Sequence, residues 1–88
     1  MSTTVNINES NYDDLPILCL GSQGEAVKIL QNFLSQLGHY LGEVNGYFCI
    51  NTEKSVRFFQ FQAGLPSNGI VTERTWKAIN RLKRFLGL

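Results

Sequence analysis

The chain has 88 residues, of which 43% are hydrophobic and 17% are charged, and its formal net charge is +1 at pH 7. This length and composition predict one small domain with a packed core and exclude a second domain. The near-zero net charge gives no overall field for nucleic acid or an anionic membrane, and no apolar run approaches the ~20 residues that span a bilayer.

Residues 1–14 are mostly polar, with Val5 and Ile7 as isolated apolar positions. Such a segment buries too little surface to offset the entropy lost on ordering, so we expect a flexible N-terminal arm. It shows neither the basic start nor the apolar stretch of a secretory signal peptide. The folded domain is predicted over residues 15–88.

The first predicted helix covers residues 23–37. Ser22 and Glu25 have the spacing of a capping box, in which the serine hydroxyl and the glutamate carboxylate satisfy the first backbone N–H groups. Gly38 follows the last turn, where a left-handed residue commonly ends a helix. The apolar positions recur at helical spacing and predict a buried stripe: Val27, Leu30, Phe33, Leu34, Leu37 and Leu41.

The second helix follows a loop over residues 42–51 that contains an Asn45-Gly46 turn. One face of this helix carries Thr52, Val56, Phe59 and Ala63, and Gly64 ends it. Phe58 and Phe61 lie on nearly the opposite face. They are either covered by another part of the chain or form an interaction patch for a partner.

The third helix is predicted over residues 73–85, after a turn at Asn68-Gly69 and with Thr72 as its N-cap. Its core stripe is Trp76, Ile79, Leu82 and Leu86. Its basic residues predict a solvated face more strongly than a helix that reads DNA, so nucleic acid is an unlikely partner. These basic residues are Arg74, Lys77, Arg81, Lys83 and Arg84.

The second and third helices repeat one plan when the sequence is shifted by about 23 residues. Asn45-Gly46 aligns with Asn68-Gly69, and Thr52 aligns with Thr75. In both units an Asn-Gly turn leads to a buried apolar residue and then to a threonine in the first helical turn. The sequence therefore predicts an all-α fold, a three-helix bundle with two repeated Asn-Gly turn-helix units.

No set of residues in the sequence predicts catalysis or a bound metal. His39 is the one histidine, and Cys19 and Cys49 do not have the spacing of a zinc site. Cys49 is interpreted as a small core or capping residue, and both cysteines are expected to be free. We therefore expect a protein that is not an enzyme and that needs no cofactor.

The order and spacing of several motifs resemble the peptidoglycan-binding domain that is appended to bacterial cell-wall hydrolases, amidases and transpeptidases. The motifs are Leu20-Gly21-Ser22, Val27 with Leu30-Gln31, Leu37-Gly38, Asn45-Gly46 with Phe48, Thr52 with Val56, Phe59-Gln60, Gly64-Leu65, Asn68-Gly69 and Thr75-Trp76. The chain departs from the family pattern at Cys49, where glycine is common, and in beginning both turns with Asn in place of Asp.

The resemblance implies a non-catalytic module that binds peptidoglycan and targets or anchors a tethered or partner hydrolase, at the cell wall, in the periplasm or outside the cell. The turn residues and helix ends would line a shallow groove. Its candidate ligand-binding residues are Asn45, Tyr47, Thr52, Arg57, Gln60 and Asn68. Because fold alone does not fix function, a protein docking module or a nucleic-acid-binding module inside the cell remains the alternative.

Overall fold

Three helices make up the regular structure in the computed structural model, which describes residues 15–88. They are α1 (Glu25–Gln36), α2 (Ile50–Gln62) and α3 (Glu73–Leu86). The all-α, three-helix prediction is confirmed, whereas the predicted arm at residues 1–14 lies outside the described residues. None of the three helices is both long and apolar enough to cross a membrane.

The predicted capping box at the start of α1 is wrong. The Ser22 hydroxyl accepts a hydrogen bond from the Cys19 N–H at 3.0 Å, and α1 begins at Glu25 with no side-chain cap. Gly24 precedes the helix with φ +126°. Its N–H donates to the carbonyl of Gly46 at 2.9 Å. The N-cap position therefore falls on Gly24, two residues after Ser22, and Ser22 lies outside the helix.

Glycines in the left-handed conformation follow α1 and α2, as the sequence predicts. Gly38 has φ +81° and Gly64 has φ +77°. Behind them, the N–H of His39 donates to the carbonyl of Leu34, and the N–H of Leu65 donates to the carbonyl of Gln60, each at 2.9 Å. These bonds satisfy carbonyls of the last helical turn and reverse the chain direction.

The core lies between the three helices and the extended residues before α1. Phe33 of α1 meets Phe59 of α2 edge to face, with ring centroids 5.5 Å apart. Trp76 of α3 is fully buried, and its indole N–H donates to the carbonyl of Pro16 at 2.9 Å. Leu41, which the spacing predicts to continue the α1 stripe, is 94% exposed because α1 ends at Gln36. The buried apolar residues are Leu18, Val27, Leu30, Phe33, Leu34, Tyr40, Phe48, Val56, Phe59, Val71, Trp76 and Ile79.

One segment, residues 18–24, is hydrogen-bonded to the chain at both Asn-Gly turns. Leu18 exchanges two backbone hydrogen bonds with Val71, the second residue after Gly69, at 2.8 and 3.0 Å. Farther along, Ser22 accepts from the N–H of Phe48 at 2.9 Å. This segment therefore joins the first turn to the residues that follow the second turn through backbone hydrogen bonds.

Candidate ligand-binding surfaces

A buried glutamine side chain holds the first turn. The Gln31 Oε1 atom accepts from the backbone N–H groups of Asn45 and Gly46 at 3.0 and 2.9 Å. Its Nε2 atom donates to the carbonyl of Tyr47 at 2.9 Å and to the hydroxyl of Thr52 at 3.1 Å. Because Gln31 is fully buried, these bonds fix the turn against α1 from the inside.

The second turn uses Gln60 in the same way. Its Oε1 atom accepts from the N–H of Gly69 at 2.9 Å, and its Nε2 atom donates to the carbonyl of Ile70 at 2.9 Å and to the hydroxyl of Thr75 at 3.3 Å. In each turn the asparagine Oδ1 atom also accepts from the N–H two residues later. The two turns therefore share a hydrogen-bond arrangement as well as a sequence plan.

The predicted groove residues separate into two groups. Asn45, Tyr47, Arg57 and Asn68 are exposed. Thr52 and Gln60 are buried, and their polar atoms bond to the turns. The polar atoms of these two residues support the turns from inside, and Gln60 also lines, with Asn68, a pocket of about 210 Å³ beside the second turn. Ligand contact by Thr52 and Gln60 therefore stays a prediction.

Arg57 connects α2 to the second turn. Its guanidinium donates to the carbonyl of Ser67 at 3.2 Å and pairs with the carboxylate of Glu53 at 3.4 Å. The side chain remains half exposed. Because these two bonds hold the guanidinium beside the second turn, its remaining N–H groups can reach only a ligand that lies next to Asn68.

A larger groove lies where α2 and α3 end and beside the residues that follow α1. Its volume is about 520 Å³. Most of its walls are apolar, with polar groups from His39, Gln62 and Arg81. The lining residues are Leu37, His39, Phe59, Gln62, Ala63, Ala78, Arg81, Leu82 and Phe85. Sequence reasoning missed this groove, because its residues come from three separate segments.

His39 connects the groove to the predicted aromatic patch. Its Nε2 atom lies 3.0 Å from the Oε1 atom of Gln62, and its ring meets Phe58 edge to face with centroids 4.8 Å apart. Phe58 and Phe61 nevertheless stay 49% and 73% exposed. Within residues 15–88, cover by another part of the chain is therefore incomplete for both phenylalanines.

Cys49 occupies the N-cap position of α2, and the Thr52 side chain lowers the pKa of its thiol by hydrogen bonding. Its Sγ atom lies 3.5 Å from the Thr52 hydroxyl. Next to it, burial raises the pKa of Tyr40, whose hydroxyl donates to the carbonyl of Glu43. Across the described part of the chain, no three histidine, cysteine or acidic residues gather in a way that could hold a metal ion.

The family model described as "Putative peptidoglycan binding domain" matches residues 23–79, which is more than half of the chain. The chain belongs to the peptidoglycan-binding domain family. The match includes both turns and both buried glutamines. It ends at Ile79, before Arg81, Leu82 and Phe85 complete the groove.

Individual relatives agree with this membership. The chain is 39% identical over 66 residues to an uncharacterized protein in the bpoA1 3' region of Kitasatospora aureofaciens, covering 74% of this chain and 56% of that protein. It is 34% identical over 65 residues to a spore cortex-lytic enzyme of Bacillus cereus, covering 74% of this chain and 25% of the enzyme. This peptidoglycan-binding domain thus spans about half of the first relative and a quarter of the second.

A solved structure shows the same fold. The SleB N-terminal domain superposes with a TM-score of 0.74 at 33% identity, covering 76% of this chain and 92% of that domain. The resemblance that the sequence motifs carry is therefore confirmed at the level of both the family and the fold.

Proposed function

We propose that this domain binds peptidoglycan without catalysing a reaction and directs an attached or partner hydrolase to the bacterial cell wall. Its family membership supports this role, and so does the cortex-lytic relative, in which the matching region is a quarter of the chain. In that arrangement the domain supplies the attachment and the remaining chain supplies the chemistry. The domain accordingly works at the wall, where its ligand is found.

The observation that carries the proposal is a polar surface on two turns held from within by Gln31 and Gln60. The backbone of each turn is fixed before a ligand arrives, so binding costs little ordering entropy. The exposed amides of Asn45 and Asn68 still have their NH₂ groups to donate, because their Oδ1 atoms accept from backbone N–H groups of the turns. Sugar hydroxyls and peptide carbonyls in peptidoglycan are suitable acceptors.

Tyr47 and Arg57 complete this surface. Tyr47 exposes 47% of its side chain and can offer a ring face and a hydroxyl to a sugar. Arg57 can donate to a carboxylate beside the second turn. Because the surface is shallow and polar, each domain should bind weakly, and a tethered enzyme or repeated copies would raise the overall affinity.

The test is co-sedimentation of the purified chain with insoluble peptidoglycan sacculi at low and moderate salt. We expect retention at both salt concentrations, and Tyr47→Ser with Arg57→Gln should weaken it about tenfold, as loss of ~1.4 kcal/mol would. Tyr47 is half exposed and the bonds of Arg57 lie at the surface, so we expect both variants to fold, which circular dichroism checks. Asn32→Ala, an exposed change on α1, is the matched control. If the unaltered chain stays in the supernatant at every salt concentration, the proposal is wrong.

A further inference from the structure

The groove at the ends of α2 and α3 has the form of a ligand site separate from the turns. Its volume of about 520 Å³ lies within the ~300–1,000 Å³ that small-ligand sites typically occupy. Phe59, Ala63 and Ala78 line apolar walls, and Phe85 at the margin is 84% exposed. A groove of this size accommodates a few small residues of an extended peptide.

Two of the polar side chains in the groove, Arg81 and Gln62, present hydrogen-bond donors. Arg81 presents a guanidinium, which has donors and no acceptor. The Oε1 atom of Gln62 faces His39 at 3.0 Å, so the Gln62 NH₂ group remains to donate. A matching ligand therefore carries acceptors, such as peptide carbonyls and a carboxylate.

The charges of the domain also favour an anionic ligand here. Three of the glutamates in residues 15–88, Glu25, Glu53 and Glu73, lie in the first turns of the helices, and none lines the groove. The two ion pairs of this region engage Arg57 and Lys77, so Arg81 has no carboxylate partner within residues 15–88.

The carbonyl ends of all three helices act against this preference, since a helix C-terminus carries about half a negative charge. The left-handed glycines Gly38, Gly64 and Gly87 are followed by backbone bonds that satisfy carbonyls of the three last turns. The full charge of Arg81 lies directly on the groove wall and is not offset by an acidic neighbour there. The net preference of the groove is therefore for an anion.

We propose that this groove binds a short peptide segment with small apolar side chains and a terminal carboxylate, the chemistry of a peptidoglycan stem peptide. Arg81 pairs with the carboxylate, Gln62 donates to a peptide carbonyl, and Ala63 and Ala78 leave room for methyl side chains. This inference rests on the proposed function. It assigns the stem peptide to this groove, and the two turns contact the polymer at a separate place.

The experiment titrates the ¹⁵N-labelled full chain with acetyl-lysyl-D-alanyl-D-alanine and, separately, with its C-terminal amide. We expect amide shifts centred on Ala63, Ala78 and Arg81 with the free acid. Removing the carboxylate should weaken binding about tenfold, as expected for a charge-assisted hydrogen bond. Arg81→Gln should cause the same loss, whereas Arg74→Gln, the same change at the other end of α3, should leave binding intact.

Five results would overturn the groove assignment, and four of them come from the unaltered chain. Three of these are equal binding of the free acid and the amide, no amide shifts with either peptide, and amide shifts confined to the two turns. The fourth is a set of amide shifts in the groove that depend on protein concentration without peptide, which would mean that a second copy of the chain occupies the groove. The fifth is a change in the groove's amide shifts when Asp13→Asn and Asp14→Asn are introduced without peptide. This result would mean that the carboxylates of Asp13 and Asp14 are the ligand of the groove. Sacculus co-sedimentation separates the two proposals, because retention without peptide binding removes only the groove assignment, and no retention removes the proposed function.

Discussion

The two Asn-Gly turns follow one plan but differ in how firmly the rest of the domain holds them. In the first turn, Gln31 accepts from two backbone N–H groups, and residues 21–24 add backbone bonds to Gly46 and Phe48. In the second, Gln60 accepts from Gly69 alone, and Leu18 bonds to Val71. Equivalent sequences thus give unequal attachment, because the extended segment before α1 pairs more closely with the first turn.

The largest expected effect comes from replacing the buried glutamines with methionine, which is similar in size but cannot make these bonds. Gln31→Met leaves the N–H groups of Asn45 and Gly46 without their acceptor and should lower the free energy of unfolding by about 3 kcal/mol. Gln60→Met deprives only Gly69 of its acceptor and should cost about 2 kcal/mol. Urea unfolding of both variants measures the difference. An equal or reversed order would show that the attachment of the turns is not what distinguishes them.

Replacing the turn glycines with alanine should have a smaller effect. Gly46 and Gly69 have φ +81° and +78°, and an L-residue in this conformation costs about 1–2 kcal/mol. At Gly46 the new Cβ would lie 3.2 Å from the backbone oxygen of Gly24, which cannot move easily. At Gly69 it would lie 2.8 Å from the Cγ atom of Glu53, so this side chain must change rotamer and give up its partly exposed pair with Arg57, which is a small loss. We therefore expect Gly46→Ala to be the more destabilising, by roughly 1 kcal/mol.

Gly64 supplies the baseline for this pair. It has φ +77°, and nothing lies within 4 Å of an added Cβ. Gly64→Ala should therefore show the backbone cost alone, with Gly69→Ala close to it and Gly46→Ala above it in thermal or urea unfolding. If all three variants lose the same stability, the close approach between Gly24 and Gly46 contributes nothing.

The sequence predicted the helices well, because their apolar spacing and terminal glycines are local signals. The prediction failed where contacts with a distant segment override a local sequence signal. Ser22 and Glu25 have the spacing of a capping box, but pairing of Gly24 with Gly46 places Ser22 outside the helix. Leu41 would belong to the α1 stripe only if the helix continued past Gln36, but the left-handed conformation of Gly38 prevents this.

The candidate site was harder to predict than the fold. The resemblance implies that Gln60 and Thr52 belong to a groove of turn residues and helix ends, but it does not show that their polar atoms support the turns from inside. Their equivalents Gln31 and Thr75 share this role, and the paired spacing of glutamine and threonine about each turn is the signal that could have revealed it. The groove at Arg81 has no comparable signal, because it exists only when three segments meet.

The smallest expected effect concerns the residues at the starts of α2 and α3, Cys49 and Thr72, neither of which makes a side-chain cap bond to the helix. Only Cys49 adds a titrating group, and the Thr52 hydrogen bond lowers the pKa of its thiol below the ordinary value of 9.0. A lowered pKa in the folded state means that the thiolate stabilises the fold. This contribution is fully present above the unfolded pKa and is lost as the pH falls through the folded pKa.

Between pH 7 and pH 9, the unaltered chain should therefore gain a small amount of stability relative to Cys49→Ser, measured by urea unfolding under reducing conditions. Cys19→Ser, the same change at an exposed thiol, is the matched control for the substitution itself. The range stops below the ordinary pKa of Tyr40 at 10.0, because burial raises that pKa and ionisation of the phenol would then work in the opposite direction. If Cys49→Ser follows the unaltered chain throughout, the thiolate has no part in stabilising the start of α2, and the two helix starts are equivalent in this respect.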